Sequence, residues 1–168
     1  MNTKEVYSAL ILGIKDYFRK NNFQRAVIGL SGGLDSSVAT SLIAKALGSQ
    51  NVIAILMPDM GTTSPKSMKH AGALAKKLKI KHYSVAVNDF VQFFRILSKK
   101  LHYKNQIYAI SNVKARTRMM ILYYFANLEN ALVIGTSDKS EIALGYTTKY
   151  GDNAADILVI GDLWKTEV

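Results

Sequence analysis

A short apolar stretch at residues 26–30 runs directly into a turn of glycine and hydroxyl residues, and a helical pattern follows. Gly32 and Gly33 are free to adopt positive φ and to let main-chain N–H groups approach an anion closely. A helix that begins near Asp35 directs its free N–H groups and positive dipole end at the same place. Further donors come from the hydroxyls of Ser31, Ser36 and Ser37. The segment therefore predicts a phosphate-binding cradle between a buried strand and a helix.

The spacing of this turn differs from the two best-known nucleotide loops. A Walker A loop needs Gly-x-x-x-x-Gly-Lys-Ser/Thr and a dinucleotide fingerprint needs Gly-x-Gly-x-x-Gly, and neither pattern occurs at 29–36. Asp35 within the turn repels phosphate unless a metal ion lies between them. Two simpler interpretations stay open, a tight strand-to-helix turn without a ligand and Asp35 as an ordinary helix cap.

Apolar runs of strand length alternate with helical periodicity along the rest of the chain. The spacing predicts helices over 4–20, 35–47 and 65–78, a helix from 88 or 89 through 97, and a long helix from 111 or 112 past 125. Strands are predicted at 26–30, 52–57, 82–87 and 131–135, with a loop over 101–110 and the opening of a helix at 165–168. This alternation is typical of a doubly wound α/β fold with a parallel sheet, which binds ligands at the carboxyl ends of its strands.

Composition narrows the class of protein. The 168 residues suffice for a single domain with its own core, and the absence of cysteine removes disulfides, thiolate zinc sites and a cysteine nucleophile. The net charge of +10 favours a polyanionic partner, either a nucleotide or a nucleic acid. No leader-like segment or bilayer-length apolar run is evident, so we expect a cytoplasmic location without membrane attachment. The three histidines show neither metal-ligand spacing nor a catalytic triad.

The turn at 31–36 resembles the Ser-Gly-Gly-x-Asp-Ser signature of the PP-loop ATP pyrophosphatases, whose fold is similar to that of the adenine-nucleotide α-hydrolases. Taken with the run at 112–119 and the segments at 135–165, it resembles the ammonia-dependent NAD synthetases over essentially the whole chain. The resemblance implies that ATP adenylates the nicotinate carboxylate of deamido-NAD and that ammonia then displaces AMP to give NAD. It implies no protein nucleophile.

The same resemblance implies the roles of individual residues. Magnesium would be held by Asp35 and Glu141, and the substrate deamido-NAD by Arg116, Lys149 and Asp156. ATP would be held by Gly29, Leu30, Ser31, Gly32, Gly33, Leu34, Asp35, Ser36, Thr136 and Lys165. Without the motif, Glu141, Lys165 and Arg116 would be ordinary exposed helix residues.

Three expectations concern the molecule as a whole. The resemblance implies a homodimer with the dinucleotide near the subunit boundary, whereas Met119, Met120, Tyr123, Tyr124 and Phe125 are interpreted as packing residues. No glutamine-hydrolysing domain is evident, so ammonia is the expected nitrogen donor. The resemblance also implies that the chains of family members continue past the Lys165-Thr166 motif. We therefore interpret residues 1–168 as one ATP-pyrophosphatase domain whose C-terminal part is missing, with activity that needs testing.

Two alternatives remain at this point. One is another PP-loop adenylating ligase, either tRNA-modifying or similar to GMP synthetase, although the segment at 145–152 would then lack an explanation. The other is a basic nucleic-acid-binding module, for which the sequence offers charge but no recognised motif. We expect small-molecule substrates and no nucleic acid.

Overall fold

The computed structural model describes residues 2–168, in which five short strands alternate with six α-helices. The helices are α1 (Thr3–Lys20), α2 (Leu34–Leu47), α3 (Pro65–Lys77), α4 (Asn88–Lys100), α5 (Ile107–Glu129) and α6 (Lys139–Leu144). The strands are β1 (Arg25–Gly29), β2 (Val52–Leu56), β3 (Lys81–Ser84), β4 (Ala131–Gly135) and β5 (Ile157–Leu158). Two short 3-10 turns are formed by Ser49–Asn51 and Asp152–Ala154.

All five strands are parallel and lie in the order β3–β2–β1–β4–β5. The chain winds outward from β1 in one direction and then returns to add β4 and β5 on the other side. Connections leaving β1 and β4 therefore diverge, which opens a crevice at the carboxyl ends of these neighbours. The doubly wound α/β fold predicted from the sequence is confirmed, and the glycine-rich turn after β1 lies at the switch point.

Each face of the sheet has its own apolar core. Ala26 and Ile28 of β1 pack with residues of α1, α2 and α3, whereas Val27 packs on the opposite face with residues of α5. Every residue of β2 and β4 is buried, as expected of the continuous apolar runs seen in the sequence. The central strands are thereby fixed from both sides, and so are the turns that leave their carboxyl ends.

Several boundaries differ from those predicted. Helix α5 begins at Ile107 rather than near 111, because its first turns expose Ile107 and Tyr108 to solvent and so carry no core periodicity. Helix α4 continues to Lys100, and β3 ends at Ser84, three residues early. Strand β5 was not predicted, since two residues are too few for a pattern. At 165–168 the structure has one hydrogen-bonded turn.

The helices formed by residues 2–168 include none that is both long enough and apolar enough to cross a membrane.

Candidate functional site

The turn after β1 is held open by one glycine in particular. Gly32 has φ +82°, and a Cβ at this position would collide with the carbonyl oxygen of Ser67 in α3. Gly33, which is also free to adopt a positive φ, instead has an extended φ of −78° and serves as the N-cap of α2. The first N–H groups of α2 lack acceptors within the helix and point out of its N-terminus. The backbone therefore provides the predicted cradle with one left-handed glycine rather than two.

The serine hydroxyls of this turn are engaged within it. Ser31 Oγ and Ser36 Oγ are 2.9 Å apart, and Gly33 N donates to Ser31 Oγ over 3.2 Å. Ser36 Oγ and Ser37 Oγ both lie within hydrogen-bond distance of the Gly33 carbonyl oxygen. In this state the hydroxyls fix the shape of the turn, and the free donors are main-chain N–H groups.

A cavity of about 300 Å³ opens at the switch point. Its walls combine residues of the turn after β1, the end of β4 and the inner face of α5. Five residues predicted as nucleotide ligands line it: Gly29, Leu30, Ser31, Ser36 and Thr136. Its apolar lining includes Ile55, Met57, Met119, Leu122 and Ile134. The arrangement provides an apolar floor beside the glycine-rich turn, a combination with the chemistry that a purine nucleotide needs.

Arg118 also lines this cavity, and it was not predicted as a site residue. Its Nε donates to the Met57 carbonyl oxygen over 3.4 Å, which anchors the guanidinium against the end of β2. Burial lowers the pKa of this group from its ordinary value, although the nearby carboxylate of Asp59 opposes the change. One sequence signal could have indicated Arg118. It lies two residues after Arg116 in a predicted helix, so the two arginines face different directions and can contact different ligands.

Lys165 lies between two carboxylates that come from distant parts of the chain. Its Nζ is 2.6 Å from Asp35 Oδ1 at the start of α2 and 2.8 Å from Asp138 Oδ2 before α6. Asp138 is fully buried, and Lys165 is the largest cause that lowers the pKa of its carboxyl. Both carboxylates in turn raise the pKa of the Lys165 ammonium. Asp138 was not predicted as a site residue.

The geometry of helix α6 explains why these groups meet. Asp138 and Glu141 form a capping box, in which Glu141 N donates to Asp138 Oδ1 over 2.9 Å and Asp138 N donates to Glu141 Oε2 over 3.3 Å. The main-chain N–H of Lys165 donates to Ser140 Oγ over 3.0 Å, which pins the last turn of the chain to the same helix. The predicted ligands Asp35, Glu141 and Lys165 are thereby brought to one place.

Magnesium is the metal ion that the family resemblance implies for this group of residues. Within residues 2–168, no three side chains among Asp, Glu, His and Cys are grouped closely enough to hold a metal on their own. Magnesium generally takes one or two carboxylates and completes its shell with phosphate oxygens and water. Asp138 Oδ2 is buried and accepts no well-directed hydrogen bond, and burial, aided by its acidic neighbours, raises the pKa of Glu141. The carboxylates here outnumber the single ammonium that faces them. They therefore suit a cation whose remaining ligands are phosphate oxygens.

Two of the predicted dinucleotide ligands meet on the rim of this site. Arg116 Nε donates to the main-chain oxygen of Lys149 over 3.0 Å, and both residues are exposed. The loop of Lys149 closes on α5 at Gly151, where an added Cβ would lie 3.0 Å from that of Ala115. Asp152, next along the chain, lines the cavity. The cationic pair is thus placed beside the cavity rather than within it.

Asp156, the third predicted dinucleotide ligand, lies apart from the switch point. Its carboxylate accepts hydrogen bonds from Tyr123 Oη over 2.8 Å and from the main-chain N–H of Val133 over 2.7 Å. Burial and this carboxylate raise the pKa of Tyr123 to about 12. Asp156 borders a separate cavity of about 280 Å³ with Phe23 and Asn127. The packing role predicted for Met119, Tyr123 and Phe125 agrees with the burial of Met119 and the partial burial of the other two, but Met119 also lines the cavity at the switch point. Met120 and Tyr124 face solvent.

Comparison with known proteins places this arrangement in a family. Residues 6–168 match the NAD synthase family profile. An NH3-dependent NAD+ synthetase of Staphylothermus marinus is 46% identical over 157 residues, which cover 92% of this chain and 56% of that protein. A glutamine-dependent NAD+ synthetase of Acinetobacter baumannii, solved with adenosine diphosphate, superposes with a TM-score of 0.94 at 29% identity over 99% of this chain and 32% of its own.

A second similar structure is named NMN synthetase, from Francisella tularensis, with a TM-score of 0.89 and 35% identity over 99% of this chain and 68% of its own. The chain spans 56% to 66% of the length of the NH3-dependent relatives it matches. The family match covers nearly all of the chain and both halves of the site. The chain belongs to the NAD synthase family.

Proposed function

We propose that the protein containing this chain amidates deamido-NAD to NAD with ATP and ammonia, and that it releases AMP and pyrophosphate. Two observations carry the proposal. The β1 turn and Thr136 line one cavity at the switch point of the sheet. Asp35, Glu141 and Lys165, which do not line that cavity, form a charged group at the start of α2, directly before Ser36 of the cavity wall. The family match supports the reaction class, because the relatives named above are synthetases. We infer one domain for the chain as a whole.

The cavity is the proposed site of ATP. Its adenine would rest on the apolar lining, and the triphosphate would lie at the N-terminus of α2, where main-chain N–H groups and the helix dipole favour negative charge. The Thr136 hydroxyl, the guanidinium of Arg118 and the ammonium of Lys165 would supply further donors. The ADP bound in the related Acinetobacter protein supports an adenine nucleotide for this fold.

The proposed reaction needs no nucleophile from the protein. A carboxylate oxygen of the nicotinate ring attacks the α-phosphorus of ATP, the bond to pyrophosphate breaks, and an acyl adenylate forms. The nitrogen of ammonia then attacks the acyl carbon, AMP leaves, and the loss of a proton gives the amide. The first step brings a carboxylate against a polyanionic phosphate, and in the second step negative charge develops on the departing AMP. Fixed N–H donors and cations at the leaving phosphates therefore provide most of the stabilisation.

Magnesium, held by Asp35 and Glu141 with phosphate oxygens, would neutralise the charge that develops on the α-phosphate and pyrophosphate. Arg116 and Lys149 are the proposed contacts for the carboxylate or pyrophosphate of deamido-NAD. For Asp156, the proposed contact is a hydroxyl or amide of the same substrate. Asp156 already accepts two hydrogen bonds, so this role requires a rearrangement or a ligand that approaches its exposed edge.

We also propose that the protein acts as a homodimer through α4 and α5. The two helices expose large apolar side chains on adjoining surfaces: Phe93, Phe94, Ile96, Ile107, Tyr108, Met120 and Tyr124. Apolar exposure on two helices that pack against each other supports an interaction surface. The sequence has no Asp or Glu between Asp89 and Glu129, so this surface carries positive charge. An open groove of about 820 Å³ lies beside Lys99 and Lys104. Both features support the binding of an anionic dinucleotide near the subunit boundary.

The nitrogen donor and the substrate length need separate tests. Glutamine-dependent relatives also match the chain, over 29% of their own length. Since relatives of both donor classes match, ammonia as the nitrogen donor is part of the proposal. The related NMN synthetase gives reason to test a mononucleotide as a second candidate substrate.

The experiment is pyrophosphate release from ATP and magnesium, with deamido-NAD, nicotinate mononucleotide, xanthylate or tRNA as the acceptor, followed by addition of ammonium or glutamine. We expect release that depends on deamido-NAD and NAD formation that depends on ammonium. Faster release with the mononucleotide would move the assignment to the second candidate. Equal release with tRNA or xanthylate would contradict both.

A further inference from the structure

The fully buried carboxylate of Asp138 has no place in the reaction described so far. Its Oδ1 is fixed by the capping box of α6, whereas its Oδ2 accepts no hydrogen bond of acceptable geometry. Oδ2 lies 2.8 Å from the Lys165 ammonium and forms an ion pair with it, although the angles are not those of a hydrogen bond. A buried carboxylate oxygen therefore faces the site with its charge matched by a single side chain.

The same ammonium also serves Asp35, so one positive charge is shared by two carboxylates. The pair therefore keeps a net negative charge, and the partly buried Glu141 adds to the negative potential. A divalent cation at the same distances would attract both carboxylates about twice as strongly as an ammonium does. The position now held by Nζ therefore attracts such a cation from two carboxylates at once.

The three side chains at this position differ in solvent exposure. The Lys165 side chain is 45% exposed, whereas those of Asp35 and Asp138 are 25% and 0% exposed. Lysine carries its charge on a flexible stem, and α2 and the α6 cap hold the two carboxylates. An incoming cation can thus displace the ammonium if the carboxylates close in by about half an ångström, since Mg²⁺ binds oxygen at about 2.1 Å.

We propose that Lys165 is a built-in counter-ion of the nucleotide-free site, and that a divalent cation replaces its ammonium between Asp35 and Asp138 and frees it for the phosphates. Asp138 is thereby an additional carboxylate of the cation site. The inference rests on the proposed function, because it assumes that a metal–nucleotide complex binds here. It makes loading of the metal and release of the phosphate-binding lysine a single event.

The first test measures Mn²⁺ affinity of the nucleotide-free protein from the electron paramagnetic resonance signal of free Mn²⁺. We expect Lys165→Met to bind Mn²⁺ about tenfold more tightly than the unmodified protein, because the competing charge is gone. Lys139→Met is the matched control, since Lys139 lies over the Trp164 ring, 4.9 Å from its centroid, and carries the same charge. The double variant Lys165→Met/Asp138→Asn should lose the gain.

The second test needs no variant, which matters because Lys165→Met removes the partner of a buried acid and can destabilise the fold. Acetylation of Lys165 by acetic anhydride, measured by peptide mass spectrometry, should rise when Mn²⁺ is added, while that of the exposed Lys45 stays constant. Unchanged acetylation of Lys165, or an equal affinity gain in Lys139→Met, would overturn the exchange. Neither readout involves deamido-NAD, so a failure of the proposed reaction would be distinguished from a failure of the exchange.

Discussion

Asp59 lies in the connection between β2 and α3, where it is 2% exposed. Its carboxylate accepts hydrogen bonds from Thr62 over 2.6 Å and from Asn88 over 3.3 Å, and it forms an ion pair with Lys114 of α5. Burial alone would raise the pKa of this carboxyl, but the hydrogen bonds from Lys114 and Thr62 outweigh it and lower the pKa. This acid therefore ties α5, which carries Arg116 and Arg118, to the end of the sheet.

We predict that Asp59→Asn lowers the free energy of unfolding at pH 7 by about 3 kcal/mol, because Lys114 is left without its partner. A lowered pKa contributes stability that is present above the ordinary value of 3.8 and is lost as the pH falls through the folded value. The difference between the variant and the unmodified protein should therefore shrink below about pH 4. Urea unfolding at pH 7 and below pH 4 measures this difference in the free energy of unfolding. Asp162→Asn, at an exposed position, is the control. A constant difference across this range would show that the Asp59 charge is not linked to folding.

Arg118 gives a second prediction for a single residue. We expect Arg118→Met to weaken ADP binding by about 10- to 100-fold, the range of a hydrogen bond to a charged group, and to leave the unfolding temperature within a few degrees. Isothermal titration calorimetry measures the affinity, and Lys100→Met, at the far end of α4, controls for the change in net charge. Unchanged affinity would remove Arg118 from the nucleotide site.

At the scale of elements, the site depends on how closely the turn after β1 approaches α3. We predict that Gly32→Ala destabilises the protein by about 1–3 kcal/mol and weakens nucleotide binding, since alanine tolerates neither the φ of +82° nor the contact with the Ser67 oxygen. The control is Gly72→Ala within α3, where nothing lies within 4 Å of an added Cβ. That variant should be neutral or slightly stabilising. Thermal unfolding measures the stability of both variants, and titration with ADP measures their nucleotide affinity. Equal stability and affinity of Gly32→Ala and Gly72→Ala would contradict the close approach of the turn to α3.

Elements with a strong pattern were predictable from the sequence, and those without one were not. The apolar runs that became β1, β2 and β4 are buried on both faces, so their composition revealed them. Asp35 and Lys165 lie 130 positions apart and were grouped only through the family resemblance. Asp138 and Arg118 were not predicted as site residues. The role of Asp138 arises from its burial, and that of Arg118 arises from the direction of its side chain. Neither property is encoded in local spacing.

At the scale of the whole molecule, the exposed apolar surface of α4 and α5 predicts self-association. We expect the protein to sediment as a dimer at micromolar concentration and Phe93→Asp to sediment as a monomer, because a charge would be buried in the interface. Leu12→Asp on α1 is the matched control, since Leu12 is 68% exposed and Phe93 is 64% exposed. A monomeric unmodified protein, or equal dissociation by both variants, would contradict an α4–α5 interface.

The central claim is that residues from both halves of the chain hold one metal–nucleotide complex at the β1–β4 switch point. A crystal structure with a non-hydrolysable ATP analogue and Mn²⁺, phased to show the anomalous signal of manganese, tests this claim most directly. The account predicts a manganese peak that bridges the Asp35 carboxylate and the phosphates, with the adenine in the cavity beside Arg118. Nucleotide bound elsewhere, or manganese without contact to Asp35, would contradict it.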